Sequence, residues 1–166
     1  MTATLRLEPL TAEAFRAFGD VIDSAAPCEK ILINEGRTTR HHALAQIDRG
    51  PAPGEAAISL FHTQPVTAGF ALRSMERHPL GSQAFINTSG SPYAVVVAPA
   101  GDFDERAIRG FIARPDQGVN YHRGTWHHYL LALGAPSVFV VIDRIGPGAN
   151  CDERMLQEPL ELVIPR

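Results

Sequence analysis

At 166 residues, 45% of them hydrophobic and 20% charged, with a formal net charge of −3, the chain has the size and balance of one globular domain able to bury a core. Acids and bases are interspersed without a basic stripe, which argues against a nucleic-acid partner. No long apolar run occurs, which argues against a signal peptide or a membrane span.

Cys28 and Cys151 lie far apart without partner spacing, so they read as reduced thiols of a cytoplasmic protein. No repeat or linker divides the chain, and a single domain over residues 1–166 is expected. Thr11–Gly19 reads as one short helix. Thr11 caps its first turn, Glu13 suits the positive end of the dipole, Gly19 follows the last turn, and Phe15 and Phe18 form one apolar face. Beyond it the apolar period becomes two. Segments 57–61, 93–98, 107–112, 129–133 and 137–142 are rich in β-branched or aromatic residues and bounded by Gly, Pro or Asp, as strands are. Turns fall at 90–92, 99–102, 115–118 and 133–136. The expected fold is all-β, a jelly-roll barrel with a short N-terminal helix, whose mouth gathers side chains from several strands.

Two segments concentrate groups that bind metals or move protons: Glu76–Phe85 and Gly118–His128. Side chains alternate along a strand, so Glu76 and His78 share a face, with Cα atoms ~6–7 Å apart, while Arg77 takes the other. Pro79-Leu80-Gly81 then turns the chain, and Gln83 returns to face the same point. In the second segment Asn120 and His122 share a face and Tyr121 takes the other, where it packs. Of the neighbours His127 and His128 only one can enter the barrel, and His128 is assigned to the opposite face or an interface.

Glu76, His78, Gln83 and His127 together offer nitrogen and oxygen donors suited to a divalent ion, with the neutral amide of Gln83 the weakest of them. A hydrogen-bonded cluster without metal accounts for the same residues, and both readings stay open. His122, beside the turn at Arg123-Gly124, can act as acid or base from an ordinary histidine pKa of about 6.5. Asp143 and Arg144 end the last apolar strand. An arginine there would pair with a substrate carboxylate, although a surface ion pair explains it equally. His41, His42, His62 and Trp126 read as structural, and Cys151, with no adjacent base, as packing.

The spacing of Glu76, His78, Gln83 and Gly90 resembles the first cupin motif, and that of His122, Gly124 and His127 the second, with residue identity departing at Glu76, Gln83 and His122. A more specific resemblance is to the ureidoglycolate lyase family, a cupin-like family of allantoin degradation. It is carried by 10–15 with 18–22, by Glu76–Ile86, by Gln117–His122 with Trp126-His127-His128, and by Ile142-Asp143-Arg144 with Asn150-Cys151-Asp152.

The resemblance implies a cupin-like barrel and a carbon–nitrogen lyase of the amidine-lyase type, cleaving (S)-ureidoglycolate to glyoxylate and urea. It further implies a homodimer and nickel as the divalent ion. On this reading Glu76, His78, Gln83 and His127 hold the metal or anchor substrate. His122 and Glu76 are catalytic, with His122 the proton carrier, and Asn120 and Arg144 bind substrate. The competing expectations are a hydrolase releasing ammonia, a cupin oxygenase or isomerase, and a non-catalytic barrel binding a small carboxylic acid.

Overall fold

Tyr93–Ala98 is apolar throughout, and in a computed structural model describing residues 3–165 every residue of this strand is buried. Met1, Thr2 and Arg166, the ends of the expected single-domain span, lie outside the described residues. The strand is doubly buried because it separates two cores. Tyr93, Val95 and Val97 face one; Ala94, Val96 and Ala98 face the other.

In chain order the described residues form β1 (Ala3–Pro9), α1 (Ala12–Phe15), β2 (Gly19–Ile22), β3 (Glu29–Ile33), β4 (Thr38–His42), β5 (Glu55–Thr63), β6 (Pro65–Val66), β7 (Ala71–Arg77) and β8 (Gln83–Asn87). There follow β9 (Tyr93–Ala98), a 3₁₀ turn (Glu105–Ala107), β10 (Arg109–Ala113), β11 (Gly118–Tyr121), β12 (Trp126–His127), β13 (Leu131–Leu133), β14 (Ser137–Ile145) and β15 (Asp152–Val163). Strands β10-β1-β15-β7-β12-β9 pair in that order and β9 pairs back onto β10, closing a six-strand barrel. Leu5, Leu72, Val96, Ile112, Trp126 and Leu162, one from each of its strands, share the core inside this ring.

A five-stranded sheet, β2-β11-β8-β14-β5, packs against the outer face of β9 and β10. Phe85, Val119, Tyr121, Phe139 and Val141 meet Tyr93, Val95, Val97 and Phe111 there. The architecture is all-β and cupin-like, as expected. Among the described residues, hairpin β3–β4 pairs only with itself.

The helix is shorter than its sequence signals. Thr11 does cap it, accepting from the Ala14 amide at 3.2 Å, but helix ends at Phe15. Phe15 and Phe18 are drawn onto Phe111, and the Phe18 amide closes a tight bond to the Phe15 carbonyl at 2.8 Å. Gly19 therefore opens β2 and does not cap a helix. Its missing side chain matters because any Cβ there would collide with the Asn120 carbonyl of the neighbouring strand.

Strand bounds also shift. The 57–61 strand extends over Glu55–Thr63, and the 129–133 strand shrinks to Leu131–Leu133. Strands β1, β3, β4 and β15 were not foreseen. They alternate weakly, because β1, β3 and β4 expose most of their residues and β15 half of its own.

Candidate active site

Strand register places the chemistry. Strand β12 sets His127 opposite Glu76, and β15 sets Glu153 on the other side of Glu76. On the facing sheet Gln83 stands between Tyr121 and Asp143. The two rows meet: the Tyr121 ring lies flat on the His127 ring, 4.4 Å between centroids and 9° between planes. His78, just past the end of β7, brings its ring centroid to 5.1 Å from that of His127. One ligand atom from each of Glu76, His78 and His127 lies within 4.8 Å of the others. A hollow of about 430 Å³ opens here between the sheets, bordered by Glu76, His78 and Gln83 and rimmed by Phe61, His62 and Tyr129.

Hydrogen bonds determine what these groups present. His78 Nδ1 lies 2.6 Å from the Asn150 carbonyl oxygen. His127 Nδ1 lies 3.2 Å from the His128 carbonyl oxygen, and a longer 3.9 Å from Glu76 Oε1. A carbonyl only accepts, so each ring carries a proton on Nδ1, and Nε2, which keeps its lone pair when the ring is neutral, is the nitrogen left for a ligand. Both Nε2 atoms are buried without a partner among the described residues. Gln83 donates its amide to Asp143 Oδ2 at 3.1 Å, which leaves Oε1 buried and unpaired as well. A buried acceptor without a partner costs about 1–3 kcal/mol. Three such acceptors beside a carboxylate form a donor set that suits a divalent cation of the imidazole-binding kind.

Burial and neighbours tune the cluster. Burial, together with the adjacent His78, pulls the His127 pKa down to about 3, so the ring stays neutral. Burial raises the Glu76 carboxyl; His78 opposes the shift and Glu153 adds to it. Burial, with the Glu76 charge nearby, also raises the Tyr121 phenol.

Three expected residues do not join this hollow. Tyr121 faces His127, so His122 on the next alternation points the other way. Its Nε2 sits 3.1 Å from Asp20 Oδ1, in a separate hollow with Gln46 and Asp48. Asn120 shares that outer face and donates to Asp20 Oδ2 at 2.9 Å and to the Gln46 carbonyl at 3.0 Å. Asp143 opposes Gln83 and faces inward, which turns Arg144 outward. The Arg144 guanidinium donates to the carbonyls of Pro53 and Pro147, packed where a side chain at Gly54 would collide with it. The structure therefore places His122, expected as proton carrier, and Asn120 and Arg144, expected as substrate contacts, across the five-stranded sheet from the Glu76 cluster.

Further residues reach the site. Tyr121 packs on the face opposite His122, as expected, but what it packs on includes the ring of His127, and His62 borders the hollow. Cys151 Sγ approaches Glu76 Oε2 at 3.9 Å. Period-two alternation carries the Tyr121 signal, because whichever face His122 leaves, Tyr121 takes. Asn150 carried no comparable local signal, since its partner His78 lies 72 residues away. His128 is buried beyond the ring wall, its ring edge-on to Phe70 at 5.9 Å, in keeping with the opposite face expected for it. Trp126 lies in the core.

A family model described as ureidoglycolate lyase matches residues 2–163. Among curated proteins the chain is similar to a ureidoglycolate lyase of Burkholderia mallei, 51% identical over 96% of this chain and 94% of the relative. It is likewise similar to ureidoglycolate lyases of Pseudomonas aeruginosa, 46% identical, and Pseudomonas syringae pv. tomato, 45% identical, each over 97% of this chain and 95% of the relative.

Proposed function

Because the chain belongs to the ureidoglycolate lyase family, we propose that it cleaves (S)-ureidoglycolate to glyoxylate and urea in the hollow between its two sheets, a step of allantoin degradation. The observation that carries this reading is the convergence of Glu76, His78 and His127 within 4.8 Å of one another, with Glu76 and His78 on the border of that hollow. Neither the hydrolase nor the non-catalytic alternative is favoured by the relatives, which are named as lyases.

The substrate carries a hydroxyl, a carboxylate and a ureido nitrogen on one carbon. Cleavage moves the hydroxyl proton to that nitrogen as the C–N bond breaks and the C=O bond forms. Glu76 is the group for this transfer. Its carboxylate accepts the hydroxyl proton, and the same carboxyl returns it to the departing urea nitrogen. Burial raises its pKa, which brings the acid and base forms closer in energy near neutral pH, where positioned proton transfer is most effective.

His78, His127 and Glu76, with Gln83 Oε1 as a further donor, are the residues that would hold a divalent ion; nickel is proposed from the family resemblance. Such an ion, when bound, polarises oxygen and holds charge that develops on it. With Arg144 facing away, His62, Thr63 and Tyr129, which line the hollow, are donors for the substrate carboxylate. The protein is further proposed to be a cytoplasmic homodimer. Support for the pairing comes from β5, the outermost strand of its sheet, where Ile58 and Leu60 are 75% and 62% exposed.

The test is incubation of purified protein with ureidoglycolate as prepared, after exhaustive chelation, and after readdition of nickel, with glyoxylate, urea and ammonia quantified. Urea formation lost on chelation and restored by nickel is the expected result. Ammonia in place of urea would overturn the lyase assignment, and undiminished urea after chelation would remove the metal from it.

A further inference from the structure

Three consecutive residues of one segment each hold one of three consecutive residues at the end of β7. Asp152 Oδ2 accepts from Arg77 Nε at 2.8 Å, Cys151 Sγ approaches Glu76 Oε2 at 3.9 Å, and Asn150 takes His78. Asn150 acts at two points. Its backbone carbonyl lies 2.6 Å from His78 Nδ1, and its side-chain Oδ1 accepts from the Leu80 amide at 2.8 Å. The second bond fixes the first: with Oδ1 tied to Leu80, two residues beyond His78, the carbonyl cannot move away from the imidazole without breaking the tie.

We propose that Asn150 is a positioning residue for His78, its side chain anchoring the backbone carbonyl that holds the imidazole proton on Nδ1 and so frees Nε2 for the hollow. This rests on the proposed role of His78 as a ligand in the active site. The carbonyl is a pure acceptor, and a ring hydrogen-bonded to it through Nδ1 is held to one tautomer and one orientation. The unpaired, buried Nε2 of His78 is the consequence. Asn150 is partly exposed and does not border the hollow, so it acts through His78 and not on substrate. Without the anchor, the two neutral tautomers and the ring rotation compete, and the ligand nitrogen is presented only part of the time.

The experiment compares wild type with Asn150→Ala and Asn150→Asp, the latter retaining an oxygen for the Leu80 amide. Nitrogen NMR of the metal-free, ¹⁵N-histidine-labelled proteins reads the tautomer of His78, assigned by its loss in His78→Gln. Cobalt(II) titration followed by visible absorption reads affinity at the cluster. Expected is a single Nδ1–H tautomer in wild type and Asn150→Asp, and mixed tautomers in Asn150→Ala. Cobalt binding weakens about 10–100-fold in Asn150→Ala alone, the usual scale for an outer hydrogen bond to a ligating histidine.

An unchanged His78 tautomer in Asn150→Ala overturns the proposal whatever the cobalt result. Should Asn150→Ala not fold, Asn150→Ser removes the same anchor and is judged by the same spectrum. If wild type binds no cobalt while the tautomer responds as expected, the metal reading falls and the positioning role stands, so the two failures are distinguishable.

Discussion

The ring of Tyr121 covers the ring of His127 face to face at 4.4 Å, joining the five-stranded sheet to the barrel wall at the active site. Both residues are buried. Tyr121 also stands 5.7 Å from Phe85 and 6.2 Å from Phe15, centroid to centroid, so it belongs to the aromatic core as much as to the site. Tyr121→Ala should cost about 3–5 kcal/mol in stability, the range for emptying an aromatic core position. Tyr121→Phe keeps ring and stack and should cost less than about 1.5 kcal/mol. Urea unfolding measures both, and equal losses in the two variants would show that the hydroxyl, not the ring, is what the position requires.

A neutral, buried His127 makes stability depend on pH in a definite direction. Its folded pKa of about 3 lies below the unfolded value of 6.5, so between them the unfolded chain binds the extra proton. Folding stability contributed by the group is complete above pH 6.5 and declines as pH falls towards 3, by up to about tenfold in the folding constant per unit. The raised pKa of Glu76 acts in the opposite sense, so the comparison is wild type against His127→Gln. The difference between their stability curves should narrow steadily from pH 7 to pH 4. A constant difference would mean that the ring titrates alike in the folded and unfolded chain, and one that widens on acidification would mean that it is charged in the native state.

Asp23 offers a second pH-dependent contribution, away from the active site. Burial works to raise its pKa, but hydrogen bonds from the Ala25 amide, Gln117 and Arg114 prevail and hold it below 3.8. The distances are 2.8 Å, 2.9 Å and 3.0 Å. A carboxylate with a depressed folded pKa stabilises above its unfolded pKa, and the contribution is lost as pH falls through the folded one. Asp23→Ala should therefore lose about 1–3 kcal/mol at pH 7, because Gln117 is left buried with an unmet donor. Thermal unfolding should show wild type and variant drawing together as the pH falls below 3.8.

If the proton transfer belongs to Glu76, Glu76→Gln should lower turnover by about 10²–10⁴ while leaving the fold intact, since the amide is isosteric. In wild type, turnover should fall on the acid side as Glu76 protonates, at a pH above the ordinary glutamate value because burial raises its pKa. A profile that is flat down to pH 4.5 would exclude this residue as the base.

His122 tests the same assignment from the other side. Half-exposed and paired with Asp20 in a separate hollow, it should tolerate replacement by Asn with turnover within a few-fold of wild type. A loss on the scale of a general base, about 10²–10⁴, would return His122 to the chemistry and require the two hollows to communicate.

The all-β class follows from runs such as Val95-Val96-Val97 and Phe139-Val140-Val141, which fit strands whatever their partners. The grouping of Glu76, His78 and Gln83 follows from period-two spacing around the turn at Pro79-Leu80-Gly81, because alternation is a property of the local backbone. Alternation also states that Asn120 and His122 share a face opposite Tyr121, and that Asp143 and Arg144 oppose each other. It does not say which face is inside.

That choice is made by packing between sheets. Tyr121 turns inward because Phe85, Phe15 and His127 surround it, and Asp143 because Gln83 stands opposite; His122 and Arg144 are left on the far side as a result. Asn150 meets His78 across 72 residues, through a pairing of β15 with β7 that no local pattern encodes. Residue type and spacing alone thus determined which groups are available for chemistry and in which pairs they point. Register between distant strands decided which member of each pair reaches the hollow, because only the closed fold sets one face of a strand against the barrel and the other against the loops outside it.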